Sequence, residues 1–200
     1  MEFNSLRLDS PFKDNRSLFG SVESSPDLSF IIPNRQDPVQ IHRGILTLAS
    51  AFVRGVMRCK LTVNSEDKDT FEWPFESSTE CEPLVMFNIL RFFYGFSLIV
   101  RCEGEELCAT IATLRRLQAN CEDALERIES FALKEAKHTP AVGAQLLLAC
   151  QKYDECHSDR CGGLHTKLAR IVLTPKNMET NTKIVVDSCL MQLPLKYFDL

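Results

Sequence analysis

The chain has 200 residues, 44% hydrophobic and 25% charged, enough for one larger domain or a compact domain with an extension, with the composition of a soluble globular protein that buries a core. A net charge of −4 leaves no basic excess, which argues against a general electrostatic grip on nucleic acid. The longest near-continuous apolar run, FFYGFSLIV (92–100), is far shorter than the ~20 residues of a membrane span, and the acidic, interrupted start MEFNSLRLDSPFKDN has no apolar signal-peptide core.

Residues 1–26 are polar, with Leu18 and Phe19 able to anchor a short helix before the loop-like SVESSPD. DLSFIIP (27–33) is a short strand closed by Pro33; after the turn NRQD, PVQIHR alternates Val39 and Ile41, so the two runs predict a hairpin. From Gly44 the period changes: Ile45, Leu48, Phe52 and Val56 follow helical spacing, as one helix or as two with a bend near Ser50. FEWPF (71–75) alternates as a strand, and Pro74 places it at a sheet edge.

EPLVMFNILRFFYG (82–95) has Pro83 at a helix start and Gly95 past its end. Leu84, Phe87, Leu90 and Tyr94 form one stripe, and Val85, Ile89 and Phe92 widen it until the helix is expected to be buried on most sides. EELCATIATLRRLQ (105–118) is helical. So is 120–137, with Asn120 as its expected N-cap, Glu122 and Asp123 in the first turn, and Lys134 and Lys137 near the end, all suited to the helix dipole. The core stripe of that helix is Cys121, Leu125, Ile128 and Ala132. HTP (138–140) breaks and restarts the pattern; the next helix buries Val142, Leu146, Ala149 and Tyr153. ECHSDRCGG (155–163) reads as a loop; Leu164, Leu168 and Ile171 make a further stripe, and a last helix is expected over 178–191. Strands first and helices to the end predict an α+β fold with an all-α tail.

The nine cysteines are odd in number, accompany no secretion signal and fall repeatedly on apolar stripes, which suits reduced, buried thiols in a cytoplasmic or nuclear protein. Cys156, His157, Cys161 and His165 crowd one stretch, and Cys161 and His165 are spaced to share a helical face. Two of the four are adjacent and the spacing matches no common zinc finger, so the expectation is no metal and no cofactor. Catalytic motifs are also missing: GFSLI (95–99) lacks the second glycine of a nucleophile elbow, and there is no dinucleotide fingerprint, P-loop or H-E-x-x-H.

The order of elements, with DLSFII, then VQIHRGILTLASAFVRGVM, then FFYG, resembles the BTB/POZ domain. Asp27, His42, Arg43, Leu46, Ser50, Phe52, Val53, Met57 and the FYG of Tyr94 and Gly95 stand at the motif positions, and the His-to-Met stretch matches without a gap. The resemblance covers 27–137, a small sheet flanked by helices; 138–200 resembles the start of the helical BACK region of Kelch-type proteins, and 1–26 stays a polar N-terminal segment. It implies a non-enzymatic protein-interaction module that homodimerises, with His42, Leu46, Ser50, Phe52, Tyr94 and Gly95 structural.

Asp27 and Arg43 then either belong to a charged pocket near the dimer interface or are an ordinary strand-start acid and a solvated base. The family also implies an adaptor that links substrate to a cullin scaffold of a ubiquitin ligase, with Met57, Val85, Met86 and Phe87 as candidate partner-binding residues. Cullin binders often carry Glu where this chain has Phe87. That departure favours the alternative, a scaffold or transcription regulator that uses the fold for self-association alone. Neither nucleic acid nor membrane is an expected partner.

Overall fold

A computed structural model describes residues 4–18, 25–32, 35–62, 69–73, 83–156, 161 and 163–174. Their elements run β1 (Ser5–Leu8), a 3-10 helix (Lys13–Leu18), β2 (Leu28–Ile31), β3 (Val39–Ile41), α1 (Arg43–Ala49), α2 (Ala51–Thr62), β4 (Thr70–Glu72), α3 (Pro83–Phe93), β5 (Leu98–Arg101), α4 (Gly104–Arg116), α5 (Glu122–His138), α6 (Pro140–Cys156) and α7 (Leu164–Val172). The class is α+β, small sheets flanked by helices. No helix among the described residues is long and apolar enough to cross a membrane.

β2 is the centre of a three-stranded sheet of order β3-β2-β4. It runs antiparallel to β3, with Leu28 opposite Ile41 and Phe30 opposite Val39, so the expected hairpin forms. β4 pairs parallel on the other side, with Phe30 opposite Phe71. Side chains alternate across a strand, which sends Leu28 and Phe30 into the core while Ser29 and Ile31 are half-buried. Pro74, expected to mark the sheet edge, lies outside the described residues.

The helical stretch after β3 is two helices. Ser50 is extended, at φ −130° and ψ 117°, and its amide closes α1 on the Leu46 carbonyl. α3 starts on Pro83 and ends in a Schellman turn, in which Phe96 N–H reaches the Arg91 carbonyl and Gly95 N–H reaches that of Phe92. Gly95 sits at φ +88°, and a Cβ there would fall 2.8 Å from the Phe12 carbonyl oxygen, so glycine is required twice over. The helix is buried on most sides, with Val85, Met86, Ile89, Leu90, Phe92 and Phe93 inside, while Leu84 of the expected stripe is 62% exposed.

Residues 4–18 of the N-terminal segment carry more structure than their polar composition suggests. β1 pairs with β5, neither of which the sequence pattern predicts. Leu8 and Ser10 are buried; the Ser10 hydroxyl donates to the Phe92 carbonyl at 2.6 Å, and the Asn15 amide donates to that of Phe93 at 3.1 Å. Side chains from this segment therefore bond carbonyls at the end of α3. Leu18 ends the 3-10 helix; Phe19 lies outside the described residues.

Contacts group the described residues into two compact units that interleave along the sequence. One unit comprises Arg7–Ile99 and Thr113–Glu122 and holds the three-stranded sheet with α1, α2 and α3. The other comprises Met1–Leu6, Val100–Ala112 and Asp123–Leu200, with α6, α7, most of α4 and nearly all of α5.

In this second unit α5 buries Ala124, Ile128, Ala132 and Ala136. A Cβ on Gly143 of α6 would stand 3.0 Å from both Ala136 Cβ and Val172 Cγ2, so α5, α6 and α7 approach closely only because that residue has no side chain. Val142 and Ile171, expected in the core stripes, are half-buried. The helix expected over 178–191 lies outside the described residues.

Two buried thiols give the fold an alkaline limit. Burial, with the charge of Glu135 adding, pushes Cys102 from 9.0 up to about 11; burial with Glu122 pushes Cys121 up to about 12. Below pH 9 both states keep these protons and the stabilisation is complete; above it the unfolded chain loses them first, so stability falls as pH rises toward 11. The melting temperature in reductant should therefore drop between pH 9 and 11, and less steeply in Cys121→Ala. Equal slopes in the two proteins would show that this thiol is not shielded.

Candidate interaction site

The residues that carry the BTB-like pattern lie in the first unit, and three local arrangements organise them. The first joins the end of β3 to the end of α3. His42 caps α1 with its backbone, at φ −87° and ψ 120°, and makes no side-chain cap. Its amide donates to the Tyr94 phenol oxygen at 2.8 Å, and its Nδ1 lies 2.7 Å from that oxygen. Burial raises the phenol above its ordinary pKa; the His42 hydrogen bond opposes the rise and the Asp27 charge adds to it.

The second arrangement is the acid–base pair. Asp27 Oδ1 accepts from the Arg43 amide at 2.7 Å, at the first residue of α1, where the helix dipole favours a carboxylate. The Arg43 guanidinium reaches back to the Asp27 carbonyl at 3.1 Å and forms an ion pair with Asp69, just before β4. Asp27 and Asp69 are exposed, so these ion pairs add little to stability. Their geometric effect is larger: the starts of β2, α1 and β4 are held at one point.

The third is the break at Ser50. Its hydroxyl, fully buried, donates to the Leu117 carbonyl and accepts from Val53 N–H at 3.1 Å. Around it, Ala51 N–H bonds the Gln118 carbonyl and Asn120 N–H bonds that of Ala49. Asn120 does not sit next to α5 as its N-cap. α5 begins at Glu122, and the Asn120 side chain instead donates to the Leu48 carbonyl at 2.7 Å, at the end of α1. The stretch 117–120, which the sequence divides between the end of one helix and the N-cap of the next, thus stitches α1 to α2. Only the plain polarity of Gln118 and Asn120 hinted at it.

His42 and Ser50 are therefore engaged with different partners, and no bond joins them. Ser50→Ala is expected to cost about 2 kcal/mol by leaving the buried Leu117 carbonyl without its donor and α2 without its cap. Denaturant titration of the two proteins measures it; a change under about 0.5 kcal/mol would show that the hydroxyl bonds are dispensable.

Between the 3-10 helix, β3 and α3 lies an apolar cavity of about 250 Å³. Leu18, Val39, Ile41, Phe87, Leu90 and Tyr94 line it, with His42 and Arg91 among the polar groups. Phe87 is half-buried there, with the Arg35 guanidinium 5.8 Å from its ring. The other candidate partner-binding residues point inward: Met57, Val85 and Met86 are 2%, 4% and 0% exposed and present no side-chain surface to a partner in this conformation. Of the structural motif residues, Leu46 is buried, and Phe52 packs edge-on to Phe71 with ring centres 6.4 Å apart.

Cys161 lies in a buried group with Cys108 and Cys150; His157 and the Cys156 side chain fall outside the described residues. No family model and no curated protein matches the chain.

Proposed function

We propose that the chain is a protein-interaction module of the BTB/POZ kind, which self-associates and serves as a scaffold or adaptor. One observation carries the reading: the residues of the resemblance are tied to one another across the first unit. The His42–Tyr94 bond spans 52 residues, and the Asp27–Arg43–Asp69 bonds join the starts of three elements. The hairpin, broken helix, strand and buried helix also follow the expected order. In this reading the chain is not an enzyme and acts in the cytoplasm or nucleus. Sedimentation velocity of the intact chain at micromolar concentration is expected to find a dimer; a monomer throughout would remove the self-association.

Phe87 favours the scaffold or transcription-regulator form over the ubiquitin-ligase adaptor. An apolar ring facing the cavity offers no charge-assisted contact where cullin-binding relatives of the BTB fold present a carboxylate. Titration calorimetry against a cullin N-terminal domain from the same organism is expected to give no heat at tens of micromolar. Submicromolar binding would replace the scaffold by the adaptor.

A further inference from the structure

Three thiols on different elements of the second unit meet in its core. Cys108 is on α4, Cys150 on α6 and Cys161 in the turn before α7; all three are fully buried. The Cys108 and Cys150 sulfurs are 3.3 Å apart, and the three Sγ atoms lie within 4.8 Å of one another. The turn that presents Cys161 is closed by Leu164 N–H on the Cys161 carbonyl and by Gly163 at φ +71°. We infer that Cys108, Cys150 and Cys161 form a thiolate site for one zinc ion.

The three sulfurs already stand close to the positions of three of a tetrahedral zinc ion's four ligands. Zinc–sulfur bonds of about 2.3 Å on a tetrahedron set sulfur–sulfur separations of about 3.8 Å. The separations here, 3.3 Å for one pair and none above 4.8 Å, require rotation of the thiols rather than movement of helices. The donor set selects the metal. Sulfur alone suits soft ions and excludes calcium and magnesium. Three thiolates around a divalent ion leave one net negative charge, and around monovalent copper two; a site this dry favours the smaller. Among the described residues no His, Asp, Glu or further Cys joins the group.

In the metal-free protein Cys150 shares hydrogen bonds with Cys108 and Cys161, which with burial hold its thiol well above its ordinary pKa. Binding exchanges three S–H protons for one Zn²⁺ and forms three Zn–S bonds, with no change of oxidation state, so affinity rises with pH. The bound ion would cross-link α4, α6 and the start of α7.

The test uses the untagged intact chain, reduced and stripped of metal. Zinc is expected to bind at one equivalent with submicromolar affinity, and cobalt in its place to give strong near-ultraviolet sulfur-to-metal charge transfer. Zinc should protect Cys108, Cys150 and Cys161 from alkylation in the mildly denatured chain, as mapped by peptide mass spectrometry, and leave the exposed Cys59 reactive. Cys150→Ser should weaken zinc binding at least a hundredfold and Cys59→Ser should not. If Cys150→Ser fails to fold, the protection map of the unaltered chain decides. No zinc uptake at tens of micromolar, protection confined to other cysteines, or a Cys108–Cys150 disulfide in the chain purified without reductant would each overturn the site.

Discussion

Phe30→Ala is expected to lower the unfolding free energy by about 3–5 kcal/mol, the range for removing a fully buried aromatic side chain. Phe30 is 0% exposed at the centre of the middle strand, opposite Val39 on one side and Phe71 on the other. Its ring stacks on Phe71 with centres 5.2 Å apart and planes 21° from parallel, and Phe71 in turn meets Phe52 edge-on. Truncation removes the apolar area, the ring pair, and the filler between two elements that cannot collapse without breaking register. Trp73 reports the transition: it is the chain's single tryptophan, 3% exposed, and follows β4 in the same unit. A loss under about 1.5 kcal/mol by its fluorescence would mean that this sheet does not hold the unit's core.

Met86→Ala is expected to cost about 2–5 kcal/mol, while Leu84→Ala, two positions away on α3, stays within about 0.5 kcal/mol. The contrast follows from burial, 0% against 62% exposed, since both residues are apolar and on the same helix. It also separates two roles for Met86. A surface anchor for a partner would lose binding on truncation at unchanged stability; a core residue loses stability first. Denaturation of the two variants, followed at Trp73, measures the difference. Equal effects would show that the face of α3 packed inward is not the one described.

The local elements were legible in the sequence because each is specified by its own residues. Val39 and Ile41 alternate after a turn, Pro83 and Gly95 bracket α3, and the bend at Ser50 sits where a hydroxyl competes with helical hydrogen bonding. The motif residues His42, Ser50 and Tyr94 were legible as a pattern, but not what they touch. Their partners come from 52 and 67 residues away, as with Tyr94 and Leu117, and spacing carries no information about such pairs.

What only the tertiary structure decided has one common cause: it depends on a second segment. β1 and β5, of four residues each, satisfy their backbone groups on one another, and neither carries an autonomous signal. Leu84 and Met86 are equally apolar, so periodicity identified a helix with a wide stripe without saying which edge of it would find neighbours. The four crowded Cys and His residues were close in sequence, yet the thiols that meet come from α4, α6 and the turn before α7. Helix packing around the missing side chain of Gly143 brings distant segments of this unit within a few ångströms, which no local spacing encodes.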